Sequence, residues 1–252
     1  MSQETEAIST SGADDLTIKV IYDDNSCVDG LSTGWGFSAV ITGAAKNILL
    51  DTGPDSSLLN NMERIAIDPN NIDAVVISHI HDDHTGGLSS FLEKNSKTEV
   101  YLPMSLPIKF KDSVRRHGAR IVEVSQPLKI CQDVYSTGQL GKLTKEQSLI
   151  IRTKAGAVLV TSCAHPGILN IVSKAKDLAG GRIVLLMGGF HLEWASRGKI
   201  EKVISAFKHW GVRYVGPGHC TGEKAKSLFE KHFGQNYINV GAARVITMAD
   251  LH

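Results

Sequence analysis

Short apolar runs recur along the chain, and their spacing alternates between the period of strands and the period of helices. The segments 16–22, 35–42 and 46–51 are rich in apolar and β-branched residues and predict strands, the last two as a pair around a turn. The segment 56–65, SSLLNNMERI, has apolar residues at helical spacing, whereas 73–78, DAVVIS, is a short run typical of a buried strand. The chain therefore begins with a predicted strand pair followed by strand and helix units.

The remaining segments continue this order. Further strands are predicted at 98–103, 148–153, 157–165, 182–189 and 213–222, and further helices at 86–95, 106–118, 167–181, 200–211 and 223–234. Each half of the chain thus holds strand pairs followed by strand and helix units. This order predicts an α/β fold in which two sheets pack together with helices outside, a four-layer αββα sandwich.

Composition limits the domain organisation and the partners. The 252 residues are 42% hydrophobic, no low-complexity linker interrupts them, and residues 16–252 are predicted to form a single domain. The polar, acidic segment 1–15 is predicted to be a flexible tail, because it lacks the apolar stretch of a signal peptide. A net charge of +1 argues against nucleic-acid and membrane-surface partners.

The cysteines and the apolar runs indicate the compartment. The four cysteines are widely spaced without a C-x-x-C pair, which predicts reduced thiols and a cytoplasmic location. No apolar run approaches the roughly 18 residues of a membrane span. These patterns are compatible with a homo-oligomer.

Candidate chemistry is concentrated where four predicted strands end. Each of these strands runs into a histidine, in the stretches VVISHIHDDH, AVLVTSCAHPG, VLLMGGFHLEW and RYVGPGHCTG. Because the carboxyl ends of buried strands meet at one edge of a sheet, the four histidine segments are predicted to converge.

The first of these stretches has the spacing of metal ligands. His79 and His81 are two residues apart and point to the same side of an extended backbone, whereas Asp83 and His84 follow a turn and face a second point nearby. Imidazole and carboxylate are the ligands of borderline divalent metals. We therefore predict two adjacent sites, each completed by a histidine from elsewhere in the chain.

These motifs resemble those of the metallo-β-lactamase superfamily over nearly the whole chain. His79 to His84 matches its H-x-H-x-D-H signature, and LLDTG (49–53), SCAHPGI and GPGHCTG resemble its other motifs. The resemblance implies two divalent metal ions, Zn²⁺ being expected and Mn²⁺ or Fe²⁺ being alternatives. The implied ligands are His79, His81 and His165 for one ion and Asp83, His84 and His219 for the other. Asp51 is predicted to orient a ligand histidine as a hydrogen-bond acceptor.

One expected ligand is missing. Most two-metal members of the superfamily carry an aspartate that bridges both metals, and the matching stretch LLMGGFHLEW, 185–194, contains none. Three replacements stay open: His191, Glu193 on a rotated loop, or a cysteine. Cys163 and Cys220 lie beside the motifs and are either small buried residues or thiolate ligands.

The departures resemble a branch that includes the dihydropterin–ribofuranosylaminobenzene phosphate synthases of methanopterin biosynthesis, although Trp35 stands where a histidine is expected. The resemblance implies an enzyme that hydrolyses a small phosphorylated, anionic substrate or displaces pyrophosphate from a pterin. The alternative is a metal-binding ligand sensor without turnover. The predicted catalytic residues are Asp83 and His191. His191 is a substrate contact or proton donor, a metal ligand, or a histidine packed beside Trp194.

Substrate contacts are predicted at two further places. Thr221 is placed to cap a helix that begins near Gly222, and such a helix start favours phosphate. Asn25 follows the first strand and is predicted to approach the same cleft.

Overall fold

Thirteen strands form two mixed sheets in the part of the chain that the computed structural model describes, which is residue 13 and residues 15–251. The strands are β1 (Thr17–Tyr22), β2 (Ser38–Thr42), β3 (Ile48–Leu50), β4 (Ala74–Val76), β5 (Glu99–Pro103), β6 (Arg120–Val124), β7 (Leu128–Cys131), β8 (Val134–Ser136), β9 (Leu149–Thr153), β10 (Gly156–Thr161), β11 (Ile183–Gly189), β12 (Tyr214–Gly218) and β13 (Val245–Thr247). One sheet has the order β13-β1-β2-β3-β4-β5-β6, and the other has the order β12-β11-β10-β9-β8-β7.

Seven α-helices connect or cover these strands within the described residues. They are α1 (Ser57–Arg64), α2 (Asp82–Thr85), α3 (Leu88–Lys94), α4 (Ile108–Arg116), α5 (Ile168–Ala179), α6 (Arg197–His209) and α7 (Glu223–Phe233). None of the helices in this part of the chain has the length and apolar character that a bilayer crossing requires.

The alternation of apolar side chains along the strands builds three cores. On β4, Ala74 and Val76 face the core between the two sheets, whereas Val75 faces the core beneath α1, α3 and α4. On β10, Val158 faces the other sheet and Leu159 packs beneath α5, α6 and α7. Both faces of each sheet are therefore buried, which confirms the predicted αββα sandwich.

Element boundaries differ from the sequence prediction where the pattern is weak. The short or edge strands β6, β7, β8 and β13 are absent from the prediction, because β6 is half exposed and the others span three or four residues. β2 begins at Ser38 and not at Trp35. α6 begins three residues before the predicted start, where the Ser196 side chain accepts from the Lys199 amide and caps it.

Most of the predicted flexible tail, 1–15, lies outside the described residues. Within it, Ala13 is buried, and its backbone N–H donates to the Arg152 carbonyl at 3.2 Å.

The parallel parts of the two sheets bring the histidine segments together. β3 to β6 run parallel in the first sheet, and β10 to β12 run parallel in the second. The segment after β4 therefore meets the segments after β10, β11 and β12 from the facing sheet. The prediction of one shared sheet edge was wrong in this respect, because the histidines come from both sheets and meet at one end of the sandwich.

Candidate metal centre

The first group of predicted ligands is a packed set of three imidazoles. The ring centroids of His79 and His81 are 4.6 Å apart, and each lies 4.7 Å from the ring of His165. His79 Nε2 is 3.1 Å from His81 Nδ1. The structure thus places together the three side chains that were assigned to one metal.

The second group lies directly beside the first. Asp83 Oδ2 is 3.2 Å from His84 Nε2 and 3.3 Å from His219 Nε2. The ring centroids of His79 and His84 are 4.3 Å apart, so the two groups are in direct contact. Cys163 adds a sulfur, because its Sγ lies 3.2 Å from His84 Nε2.

A change of backbone direction separates the two groups. His81 is extended, and α2 begins at Asp82, so the next side chains turn away from the strand direction. Gly86 and Gly87 follow α2 where backbones approach each other closely. A Cβ at Gly86 would lie 1.8 Å from the Pro54 carbonyl oxygen, and one at Gly87 would lie 2.2 Å from the Thr52 carbonyl oxygen.

Buried hydrogen bonds fix the orientation of the imidazoles in the first motif. One Asp51 carboxylate oxygen accepts from the Ser78 amide at 2.7 Å, and the other lies 2.8 Å from His84 Nδ1. The Ser78 hydroxyl lies 2.6 Å from Asp51 and 2.8 Å from His79 Nδ1. These partners hold the Nδ1 side of both rings and leave Nε2 facing the cluster, which is the geometry that the role predicted for Asp51 requires.

Two aspartates that the sequence interpretation did not single out hold His219. Asp24 Oδ1 is 2.9 Å from His219 Nδ1, and Asp23 Oδ2 accepts from the His219 backbone N–H at 3.0 Å. Both follow the end of β1, where the interpretation chose their neighbour Asn25. A pair of acids at a strand end was the signal that could have found them.

Glu146 is a third residue that the sequence interpretation did not identify. Its carboxylate is buried and accepts from the backbone N–H groups of Cys163, Ala164 and His165 at 3.1, 2.9 and 2.8 Å. Burial raises the pKa of Glu146, while these three donors act to lower it. Glu146 lies in a segment without periodic pattern, so no sequence signal marked it.

In the second group, Asp83, His84 and His219 stabilise one another in their charged forms. Burial acts to raise the pKa of Asp83, but hydrogen bonds with His219 and His84 outweigh it and hold this pKa far below its usual range. Burial likewise acts to lower the pKa of His84 and of His219. The carboxylates Asp51 and Asp83 outweigh it and raise the pKa of His84 to about 9. Asp24 and Asp83 raise the pKa of His219 to about 10.

The first group favours neutral imidazoles. Burial, followed by the neighbouring histidines, lowers the pKa of His79 well below its usual range. Burial, followed by His191 and His81, lowers the pKa of His165 to about 4. Neutral imidazole is the form that binds metals, so this group can accept a cation without releasing protons.

The donors fit divalent metal ions. The ligand atoms of Asp83, His84, Cys163 and His219 all lie within 4.8 Å of one another, as do those of His79, Cys163 and His165. The Nε2 atom of His165 is buried and forms no hydrogen bond within the described chain. A buried polar atom without a partner is costly, and a coordinated cation would satisfy it.

Left-handed backbone conformations occur in four of the site motifs, although not in the H-x-H-x-D-H motif. Asp51, Ala164, His191 and His219 have φ angles of 54°, 62°, 53° and 41°. Each such conformation costs about 1–3 kcal/mol for a residue with a Cβ atom. Strain of this kind at four converging segments is typical of a functional site.

The structure places His191 at the exposed rim of the cluster. Its ring centroid is 4.6 Å from that of His165, and a hydrogen bond with the Cys220 side chain raises its pKa. It therefore contacts a predicted ligand. Glu193 belongs to none of the ligand groups found among the described residues.

The residues that were predicted to contact substrate do not lie together in one cleft. Thr221 is buried, and its hydroxyl donates to the Gly218 carbonyl and accepts from the Phe190 amide. The prediction that Thr221 caps α7 was wrong, because Gly222 occupies the cap position and no side chain caps that helix. Asn25 lines a separate cleft that also contains Glu223 and Lys226.

Two exposed tryptophans border the cluster instead. Trp35 and Trp194 are 46% and 78% exposed, and their ring centroids are 6.3 Å apart. Trp35 also lies 4.8 Å from the ring of His219. Trp35, which stands where a histidine was expected, therefore lines the site beside His219.

Comparisons with known proteins agree with this geometry. Residues 35–160 match the family model of the metallo-beta-lactamase superfamily. A 7,8-dihydropterin-6-methyl-4-(beta-D-ribofuranosyl)-aminobenzene-5'-phosphate synthase of Methanocaldococcus jannaschii is 28% identical, over 81% of this chain and 85% of that protein. The crystal structure of Tm1679, described as a metal-dependent hydrolase of the beta-lactamase superfamily, has a TM-score of 0.78 and 28% identity. The match covers 92% of this chain and 98% of Tm1679. YhfI from Bacillus subtilis has the same fold, with a TM-score of 0.68 and 16% identity over 93% of this chain and 99% of YhfI.

Proposed function

Since the chain belongs to the metallo-β-lactamase superfamily, we propose that it is a two-metal enzyme acting on a small phosphorylated substrate. The observation that carries this proposal is the pair of adjacent ligand groups, whose rings His79 and His84 are 4.3 Å apart. Two cations held side by side by these groups would suit a substrate that presents several anionic oxygens.

The ligands divide as the geometry groups them. His79, His81 and His165 would hold one ion, and Asp83, His84 and His219 would hold the other. When bound, two divalent cations supply Lewis acidity, lower the pKa of a water molecule and neutralise phosphate oxygens. Zn²⁺ is the ion we propose, because imidazole-rich sets with few carboxylates suit it.

The protein's own residues would orient the substrate around this centre. His191 is exposed beside His165 and can donate a hydrogen bond to a phosphate oxygen or to a leaving group. Asp51 and Asp24 hold the Nδ1 sides of His84 and His219 and keep both rings aimed at the centre.

The tryptophans support a substrate with a planar ring. Exposed aromatic faces beside a charged centre can stack a flat heteroaromatic group, and Trp35 contacts His219 directly. The name of the methanogen relative describes a product with a pterin, an aminobenzene ring and a phosphate. We therefore propose a dihydropterin pyrophosphate as the substrate. An aryl ribose phosphate would displace its pyrophosphate, or water would hydrolyse it.

A product assay by mass spectrometry tests this proposal. Zinc-reconstituted protein is incubated with a dihydropterin pyrophosphate, with and without an aryl ribose phosphate, beside a panel of phosphodiesters and lactones. His219→Ala is expected to abolish product and reduce bound zinc. His209→Ala, which changes an exposed histidine of α6, is the matched control and is expected to retain both.

Each outcome has a distinct meaning. A condensed pterin product with pyrophosphate supports transfer, and turnover of the pterin pyrophosphate without condensation supports hydrolysis. Turnover of a lactone alone would contradict the phosphorylated substrate. Two bound metals with no product from any substrate would contradict an enzyme and favour a metal-dependent ligand sensor.

A further inference from the structure

The end of β11 cannot supply the ligand that the superfamily resemblance led us to expect there. A Cβ at Gly188, where φ is 103°, would lie 1.8 Å from the Thr161 carbonyl oxygen. A Cβ at Gly189 would lie 2.1 Å from the Ser162 carbonyl oxygen and 2.8 Å from Cys220 Sγ. The neighbouring strand and a sulfur fill the space that a side chain would need.

A different donor lies between the two ligand groups. The Cys163 sulfur is within 4.8 Å of the ligand atoms of Asp83, His84 and His219, and also within 4.8 Å of those of His79 and His165. Cys163 is buried, being 3% exposed. Among the described residues, Asp51 is also grouped with His79 and His84, but its carboxylate lies on the Nδ1 side of His84, whereas the Cys163 sulfur lies beside His84 Nε2.

We infer that the Cys163 thiolate is a ligand shared by both metal ions and takes the place of the missing bridging aspartate. This inference rests on the two-metal centre proposed above. On metal binding, the thiol would release its proton to solvent and form two sulfur–metal bonds. The site would then hold one carboxylate, five imidazoles and one bridging sulfur.

The donor distances around the Asp83 group suit a bound zinc ion. Zinc binds sulfur at about 2.3 Å and imidazole nitrogen at about 2.0–2.1 Å, so donors around one ion lie roughly 3.3–3.8 Å apart. Cys163 Sγ is 3.2 Å from His84 Nε2, and Asp83 Oδ2 is 3.3 Å from His219 Nε2. His219 is 1% exposed, and its Nε2 faces the Asp83 carboxylate. A cation between these donors needs only small side-chain movements.

The backbone holds the sulfur in place independently of a metal. The Cys163 N–H donates to Glu146 at 3.1 Å, and Ala164 follows in a left-handed conformation. Cys220 differs, because it packs behind Cys163, with its Sγ 3.5 Å from Cys163 Sγ, and is grouped only with Cys163 and His191. Cys220→Ser is therefore a matched control for Cys163→Ser.

Two spectroscopic measurements test the inference without relying on turnover. In Co²⁺-substituted protein, visible ligand-field bands report bound metal, and a near-ultraviolet thiolate-to-cobalt band reports a sulfur ligand. We expect wild type and Cys220→Ser to show both and Cys163→Ser to lose the near-ultraviolet band. We also expect Cys163→Ser to bind metal at least about tenfold more weakly. A thermal melt of each metal-free variant checks that it folds.

X-ray absorption at the zinc edge of wild type needs no variant. A shared thiolate gives about one sulfur per zinc at about 2.3 Å, whereas a ligand to one ion gives about half a sulfur per zinc. Half a sulfur, no sulfur, or a charge-transfer band that follows Cys220 would overturn the inference while leaving the metal centre intact. Absence of bound metal in every variant would instead contradict the proposed function.

Discussion

Replacing Glu146 by Gln tests whether one buried carboxylate positions the loop that carries Cys163 and His165. The carboxylate accepts three backbone N–H groups, at 3.1, 2.9 and 2.8 Å. A glutamine oxygen can keep the bonds to Cys163 and Ala164. Its amide group would then face the His165 N–H, so that two donors would oppose each other.

The magnitude follows from two opposing effects. A buried donor left without a partner costs about 1–3 kcal/mol. Removing the charge also removes an unfavourable desolvation, which acts to raise the pKa of Glu146. We therefore expect a net loss of about 2 kcal/mol for Glu146→Gln, in the middle of the range for an unpaired donor.

Calorimetry with and without zinc provides the assay. A loss of about 2 kcal/mol lowers Tm by roughly 4–8 °C in a chain of this size. A loosened ligand loop should also weaken zinc binding by about 10- to 100-fold, which reduces the stabilisation by added zinc. Glu201→Gln, which breaks an exposed pair with Arg197, is the control and should leave both quantities unchanged. An unchanged or raised Tm together with full zinc stabilisation would refute this reasoning.

Three further predictions concern ligand orientation, the aromatic wall and packing. Asp51→Asn should weaken zinc binding about 10- to 100-fold in a chelator competition, because asparagine has one acceptor oxygen where three donors now converge; unchanged affinity would contradict it. Trp35→Ala should weaken binding of a pterin pyrophosphate by about 1–3 kcal/mol in a fluorescence titration, at unchanged zinc content; equal affinity would exclude stacking. Gly86→Ala should cost about 1–3 kcal/mol through its contact with a carbonyl oxygen at 1.8 Å. Gly198→Ala, whose Cβ meets nothing within 4 Å, should melt at or above the wild-type temperature, and equal melting of the two variants would contradict the packing argument.

The layers of the fold and the local shape of the first motif could be predicted from the sequence because they depend on short-range patterns. Short, continuous apolar runs mark β4 and β10, and an H-x-H spacing places His79 and His81 together. The edge strands could not be predicted, since three-residue segments such as β13 carry too little pattern.

The supporting residues depend on long-range contacts that no local pattern encodes. Glu146 reaches Cys163 across 17 positions, and Asp24 reaches His219 across 195. Trp35 was noted as a departure because a histidine was expected there, and its ring contact with Trp194 joins positions that are distant in sequence. The role inferred for Cys163 needed the facing sheets, which bring its sulfur between the two ligand groups.

Anomalous diffraction at the zinc edge, from crystals of the zinc-reconstituted protein, tests the central claim most directly. We predict two anomalous peaks, one beside His79, His81 and His165 and one beside Asp83, His84 and His219. We also predict that the Cys163 sulfur lies about 2.3 Å from each peak. A single peak, or peaks away from these residues, would contradict the two-metal centre on which the proposed function depends.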